Sequence, residues 1–174
     1  MTNNTRSYIK DITLIALFVA VVCILAQISI PISLIPITFQ AFAIALCGYV
    51  LGTKKSLIAT IVYLLLGAVG VPVFASFNGG FHILLSYTGG FLWGFIPYAL
   101  LCGISKNKNL AIPFGVLGVL VCHIIGTIQY SLVSNSNIYQ AFIIASLPFI
   151  FKDIILVIIA HLIAKRINKI IKTS

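Results

Sequence analysis

The chain has 174 residues, of which 61% are hydrophobic and only 7% charged, with a mean hydropathy of +1.19. Soluble domains carry about a quarter charged residues, so a soluble domain is excluded and an integral membrane protein is expected. The formal net charge of +9 would suit a nucleic-acid partner, but the basic residues stand in short clusters between apolar runs, where membrane orientation explains them better.

A helix needs about 20 apolar residues to cross a bilayer. The sequence accommodates six such spans in one membrane domain covering 1–174, which makes the expected fold all-α. Arg6, Lys10 and Asp11 precede a first span at about 12–30. That span lacks a convincing cleavage site and is expected to be retained. Pro31 and Pro36 then bracket a short apolar loop, because proline resists helix continuation. A second span at 37–51 ends at Lys54 and Lys55, and a third covers 56–74. The fourth, 88–104, is ended by Ser105-Lys106-Asn107-Lys108-Asn109. The fifth, 110–133, closes at Ser134-Asn135-Ser136-Asn137. The last, 140–164, is followed by Lys165, Arg166, Lys169 and Lys172. No internal repeat is visible.

Sorted by loop, the flanking Lys and Arg residues all fall on one side of six spans, and the three loops on the other side contain none. By the positive-inside rule both termini are cytoplasmic. Cys23, Cys47, Cys102 and Cys122 lie within apolar runs and form no CxxC pair, so they read as small core residues rather than zinc ligands or disulfides. No metal site is expected.

The stretch Tyr63 to Phe95 begins and ends like membrane helix but stops behaving like one between Phe74 and Gly90. Pro72 removes a backbone donor, while Gly79-Gly80 and Gly89-Gly90 open conformations closed to other residues. Asn78, His82, Ser86, Tyr87 and Thr88 scatter uncharged polar groups through it. Non-helical backbone at membrane depth needs protein or a polar cavity around it. The stretch is therefore either a ligand cap or an ordinary external loop.

Lys152 and Asp153, in the outer half of the last span, are the other informative feature. A charge within the membrane costs a few kcal/mol on the insertion scale and needs a partner, water or a ligand. Asp153 is either half of a structural ion pair or the acceptor for an uncharged polar ligand. Gln27, Gln40, His123, Gln129 and Tyr130 are expected to bond neighbouring helices. His123 has no carboxylate or thiol near it in sequence, and His161, near the basic end, is expected to be solvated. Tyr63, Tyr98 and Trp93 read as interface anchors rather than ligand contacts. Ala16 and Ala20 form a small-xxx-small pair that would let another helix approach closely. Internal packing is the alternative, since Ala41 and Ala45 repeat the pattern.

Three blocks, Pro36-Ile37-Thr38-Phe39-Gln40, YLLLGAVGVPVFA at 63–75 and GG…TGGFLWGF at 79–95, resemble the biotin-specific substrate-binding subunit, the BioY family, of energy-coupling-factor (ECF) vitamin transporters. The resemblance covers essentially the whole chain. It implies a six-helix, non-enzymatic subunit in a prokaryotic cell membrane that captures biotin as cargo, with no cofactor. It also implies partners: a transmembrane coupling subunit and two cytoplasmic ATPases. This agrees with the lack of a GxxxxGK[ST] phosphate loop. Ala16 and Ala20 match the family's first-helix docking contact. The expected substrate site comprises the loop Phe77, Asn78, Gly79 and Gly80, then Tyr87 and Trp93, Gln129 on the fifth span, and Lys152, Asp153 and Leu156 on the last.

The chain departs from the family at two places. A D-x-x-K pair is usual in the last helix, but Leu156 stands where the lysine belongs. Lys152 lies one turn away on the same face and is expected to take over. Ser86-Tyr87-Thr88-Gly89-Gly90 replaces a GPTGG. The alternatives are a biotin precursor or another carboxylated cofactor as ligand, or an assembly subunit without a small-molecule ligand. An intramembrane enzyme is disfavoured, because no catalytic set shares a plausible location.

Overall fold

The computed structural model describes residues 3–30, 35–104 and 110–173. Helix α1 (Asn3–Gln27) leads into strand β1 (Ser29–Ile30), which pairs antiparallel with β2 (Ile37–Thr38), Ser29 opposite Thr38. Helix α2 (Gln40–Ala68) follows. A 3-10 turn (Ala75–Phe77) and the one-turn helix α3 (Phe81–Leu84) then precede α4 (Gly89–Ile104). Helices α5 (Ala111–Ser134), α6 (Ile138–Ala145) and α7 (Leu147–Thr173) complete the chain.

Helix α2 is continuous only in name. Gly52 has φ 73° and ψ 176°, a region that essentially only glycine occupies. Gln40 Nε2 donates to Tyr63 Oη at 2.6 Å across 23 residues, a separation that would be about 35 Å along a straight helix. The helix therefore folds back at Gly52 into two antiparallel limbs, 40–51 and 53–68. Helices α1, α2, α5 and α7 are long and apolar enough to cross a membrane, α2 by its length across the bend, and α4 is a shorter apolar helix.

Several element ends differ from expectation: residues 29–30 and 37–38, expected in the first and second spans, pair as the ribbon instead. Helix is expected to run to residue 74 but stops at Ala68, where Gly70 turns at φ 103° and the chain continues extended towards Phe74. The last span, expected as one helix from 140, is two helices broken at Ser146. Pro148 explains the restart: it fits the first turn of α7, where no helical N–H is required, but not the interior of a helix running through it.

Helix α4 lies between α2 and α5, while α7 packs on α2 and α5 and α1 covers α2. A Cβ added at Gly94 would sit 2.8 Å from Cys122 Cα, so glycine is what lets α4 and α5 touch backbone to backbone. Cys47, Cys102 and Cys122 are buried free thiols. Tyr63 and Tyr98 are not interface anchors: both rings are fully buried in the core. Large apolar side chains such as Leu17, Ile24, Leu117, Ile124 and Ile155 face outwards, as a lipid-facing surface demands.

The bundle has two chemically different ends. At one, Lys55 pairs with Asp11, and Asn168 Nδ2 donates to Tyr49 O at 3.0 Å. These contacts gather the start of α1, the α2 bend and the end of α7, with Arg6, Lys10, Lys54, Lys165 and Arg166 exposed around them. Lys106 and Lys108 lie outside the described residues. The ribbon, the loop 69–88 and the start of α7 form the other end. His161 is half-buried rather than solvated, and its ring stands edge-on to Tyr49 with centroids 5.3 Å apart.

Candidate functional site

The second turn of α7 brings Lys152 and Asp153 to the end of the bundle away from the basic cluster. Asp153 is 7% exposed, and both its oxygens are engaged. Lys152 Nζ donates to Oδ1 at 2.5 Å, and His123 Nε2 of α5 lies 3.1 Å from Oδ2. Lys152 also donates to the backbone carbonyl of Thr38 in β2, at 3.0 Å. Continuing from Thr38, its hydroxyl donates to Gln40 Oε1 at 3.1 Å, Gln40 reaches Tyr63, and Tyr63 Oη donates to Val73 O at 3.2 Å. A connected polar chain thus crosses the core, and buried polar groups are stable there only when so paired.

This chain runs beside a cavity of about 360 Å³ enclosed by the ribbon, the loop 74–78, α3 to α4, α5 and α7. The volume is that of a small-molecule site, about 300–1,000 Å³. Its wall is mainly aromatic and aliphatic, with Phe74, Phe91 and Phe95 prominent, and its convergent polar groups include Asn78, His123, Lys152 and Asp153. Few polar groups on an apolar wall is how such sites orient a ligand. Among the described residues, no group of three His, Cys, Asp or Glu is placed to hold a metal.

The loop closing one side is held rigidly. Gln27, the last residue of α1, donates to Phe74 O at 3.2 Å and accepts from the Phe77 N–H at 2.8 Å. Ser76 and Phe77 both adopt left-handed backbone, φ 59° and 57°, a conformation non-glycine residues hold only when the surroundings impose it. The Phe74 N–H donates to Asn78 O at 2.9 Å, closing the turn.

Four of the residues expected in the substrate site line the cavity: Asn78, Tyr87, Lys152 and Asp153. The others stand off its wall. Phe77 projects outwards, 71% exposed. Gly79 serves packing, since a Cβ there would lie 2.5 Å from Val71 O. Gly80 turns at φ 108° and donates to Gly67 O at 2.7 Å, docking the loop onto α2. Trp93 donates to Leu84 O at 3.2 Å, and Gln129 donates to Leu84 O and Ser86 O, each at 2.9 Å, so both hold the backbone after α3. Leu156 is buried one turn along α7 and does not reach the cavity. Ala16 and Ala20 are exposed on the outer face of α1.

Sequence reasoning missed His123 and Tyr98, which also line the cavity. The carboxylate that His123 meets is 30 residues away in the chain, and no local pattern joins them. The only signal was a histidine within an apolar helix.

The sequence matches the BioY family over residues 1–173. It is 38% identical to the probable biotin transporter BioY of Pyrococcus horikoshii, over 91% of this chain and 96% of that protein. It is 37% identical to the biotin transporter BioY of Thermotoga maritima, over 88% and 93% respectively. Its fold is similar to the crystal structure of the S-component for biotin from an ECF-type ABC transporter, with a TM-score of 0.88 and 30% identity. That match covers 97% of this chain and 95% of the other.

The pair in α7 makes a stability prediction. Removing the lysine leaves Asp153 a buried charge with one partner fewer, which is worse than removing charge from both residues. Lys152→Met should therefore melt at a lower temperature in detergent than the double variant Lys152→Met/Asp153→Asn. A double variant less stable than the single one would overturn this account of the buried charge.

Proposed function

This chain belongs to the BioY family, and we infer from that premise that it is the biotin-binding S component of an ECF-type transporter, serving biotin uptake. It is a transporter subunit and not an enzyme; biotin is its cargo. One observation carries the reading: a buried carboxylate, Asp153, stands on the wall of an otherwise largely apolar cavity of small-molecule size. Biotin's bicyclic ring offers two ureido N–H donors and a carbonyl acceptor, and its tail is apolar. Asp153 accepts a ureido N–H, Lys152 steadies the carboxylate, and the aromatic wall takes the thiophane ring and tail. Asn78, on the loop, suits the ligand's terminal carboxylate through its amide. Lys152 is the cation available at this position, Leu156 being apolar and off the wall.

Six crossings with both termini cytoplasmic account best for the two limbs of α2 and for the separation of the basic end from the cavity end. Positive charge is retained on the cytoplasmic side, so the cavity faces outwards in a cell membrane. Energy for uptake comes from partners, a transmembrane coupling subunit and two ATPases. The exposed Ala16 and Ala20 on α1 offer the coupling subunit a close helix–helix approach.

Three experiments test this. The purified chain should bind radiolabelled biotin, and Asp153→Asn should weaken binding about tenfold to a hundredfold, the loss of one charge-assisted hydrogen bond. Unchanged affinity would remove Asp153 from the site. In a cysteine-free background, a cysteine at position 136 should react with an impermeant thiol reagent from outside and one at position 54 only from inside. Labelling of both from one side would overturn the topology. Ala16→Trp with Ala20→Trp should block co-purification with a coupling subunit while leaving biotin binding intact; an intact complex would clear α1 of that role.

A further inference from the structure

Among the described residues, two buried side-chain N or O atoms lack a hydrogen-bond partner: Tyr98 Oη and His123 Nδ1. Both residues line the same cavity, although they come from different helices. Leaving a buried polar group unpaired is unfavourable, so two orphans on one cavity wall point to a ligand that supplies the missing partners. We propose that Tyr98 and His123 are ureido-recognition residues, Tyr98 Oη donating to the ureido carbonyl and His123 Nδ1 accepting one ureido N–H. This deepens, and rests on, the reading of the chain as a biotin-binding subunit.

The protonation pattern follows from the neighbours. The Asp153 carboxylate can only accept, so the 3.1 Å contact requires the proton on His123 Nε2. Lys152 already balances the charge of Asp153, and a second cation in the same buried pocket would have no counter-ion. The neutral imidazole fits, which leaves a lone pair on Nδ1. Its ring is fixed on two sides. The Phe91 ring stands edge-on with centroids 5.4 Å apart, and Nε2 is held against Asp153 Oδ2. Tyr98 is fixed by a notch in α5: a Cβ on Gly118 would lie 2.5 Å from its ring. Asp153 and His123 then offer acceptors and Tyr98 a donor, the complement of a cyclic urea with two N–H groups and one carbonyl.

The test is titration of the purified chain with biotin and with biotin methyl ester, which share the ring and differ at the tail. Tyr98→Phe should weaken both ligands by the same factor, about threefold to tenfold, the loss of one neutral hydrogen bond. Without ligand it should melt no lower than the parent, because it removes an unpaired group. His123→Gln places its amide N–H towards Asp153 but leaves nothing at the Nδ1 position, and should weaken both ligands similarly. His123→Asn places an amide oxygen near Nδ1 and should keep more affinity than His123→Gln. A loss confined to the free acid would place the contacts at the carboxylate end and overturn the assignment. A parent that binds biotin while Tyr98→Phe and His123→Gln match it overturns the inference alone. A parent that binds neither ligand overturns the underlying reading with it.

Discussion

A carboxylate held inside a membrane protein is the constraint around which the rest of this structure is arranged. Unpaired, Asp153 would cost several kcal/mol; here both oxygens are engaged, by Lys152 and by His123. The second bond of Lys152, to the Thr38 carbonyl, makes the pair more than a local neutralisation. It ties the start of α7 to the β-ribbon between α1 and α2, and through Gln40 and Tyr63 to the loop beyond α2. One buried charge therefore holds together several of the segments that wall the cavity.

The backbone devices serve the same end. The bend at Gly52 returns the second limb of α2 beside the first, which is what allows Gln40 and Tyr63 to meet. Glycine at position 94 lets α5 approach α4 closely enough that His123 and Tyr98 share one wall. Gln27 clamps a turn whose Ser76 and Phe77 would not adopt their backbone unaided. A cavity held this way is organised without a ligand in it, and such pre-organisation limits the ordering cost of binding. The site thus depends more on supporting contacts than on the number of residues facing the ligand.

Placement at one end of the bundle separates two tasks. The basic residues, with the Asp11–Lys55 pair and the exposed tail of α7, mark the opposite end. On the reading proposed above, ligand capture at one end and charge-based orientation at the other use different residues. The exposed outer face of α1 is a third, separate surface, covered by neither.

Much of this was legible from composition and motif. Hydropathy and the spacing of basic residues identify an apolar helical membrane protein, because the bilayer imposes a length and charge pattern on the chain itself. The blocks at 36–40, 63–75 and 79–95 carry the family. Asp153 was conspicuous because a charge in an apolar run is expensive wherever the helix points. The sequence could not say that Gly79 and Gly80 dock a loop, or that Gln129 and Trp93 hold backbone after α3, because glycine freedom and amide donors serve packing and ligand alike. Nor could it pair His123 with Asp153 or expose Tyr98 as an unpartnered hydroxyl. Those depend on where α4, α5 and α7 pack, which brings His123 and Asp153 to 3.1 Å and leaves the Tyr98 hydroxyl without a partner. The residues were in the sequence; their convergence on one cavity was decided by helix packing.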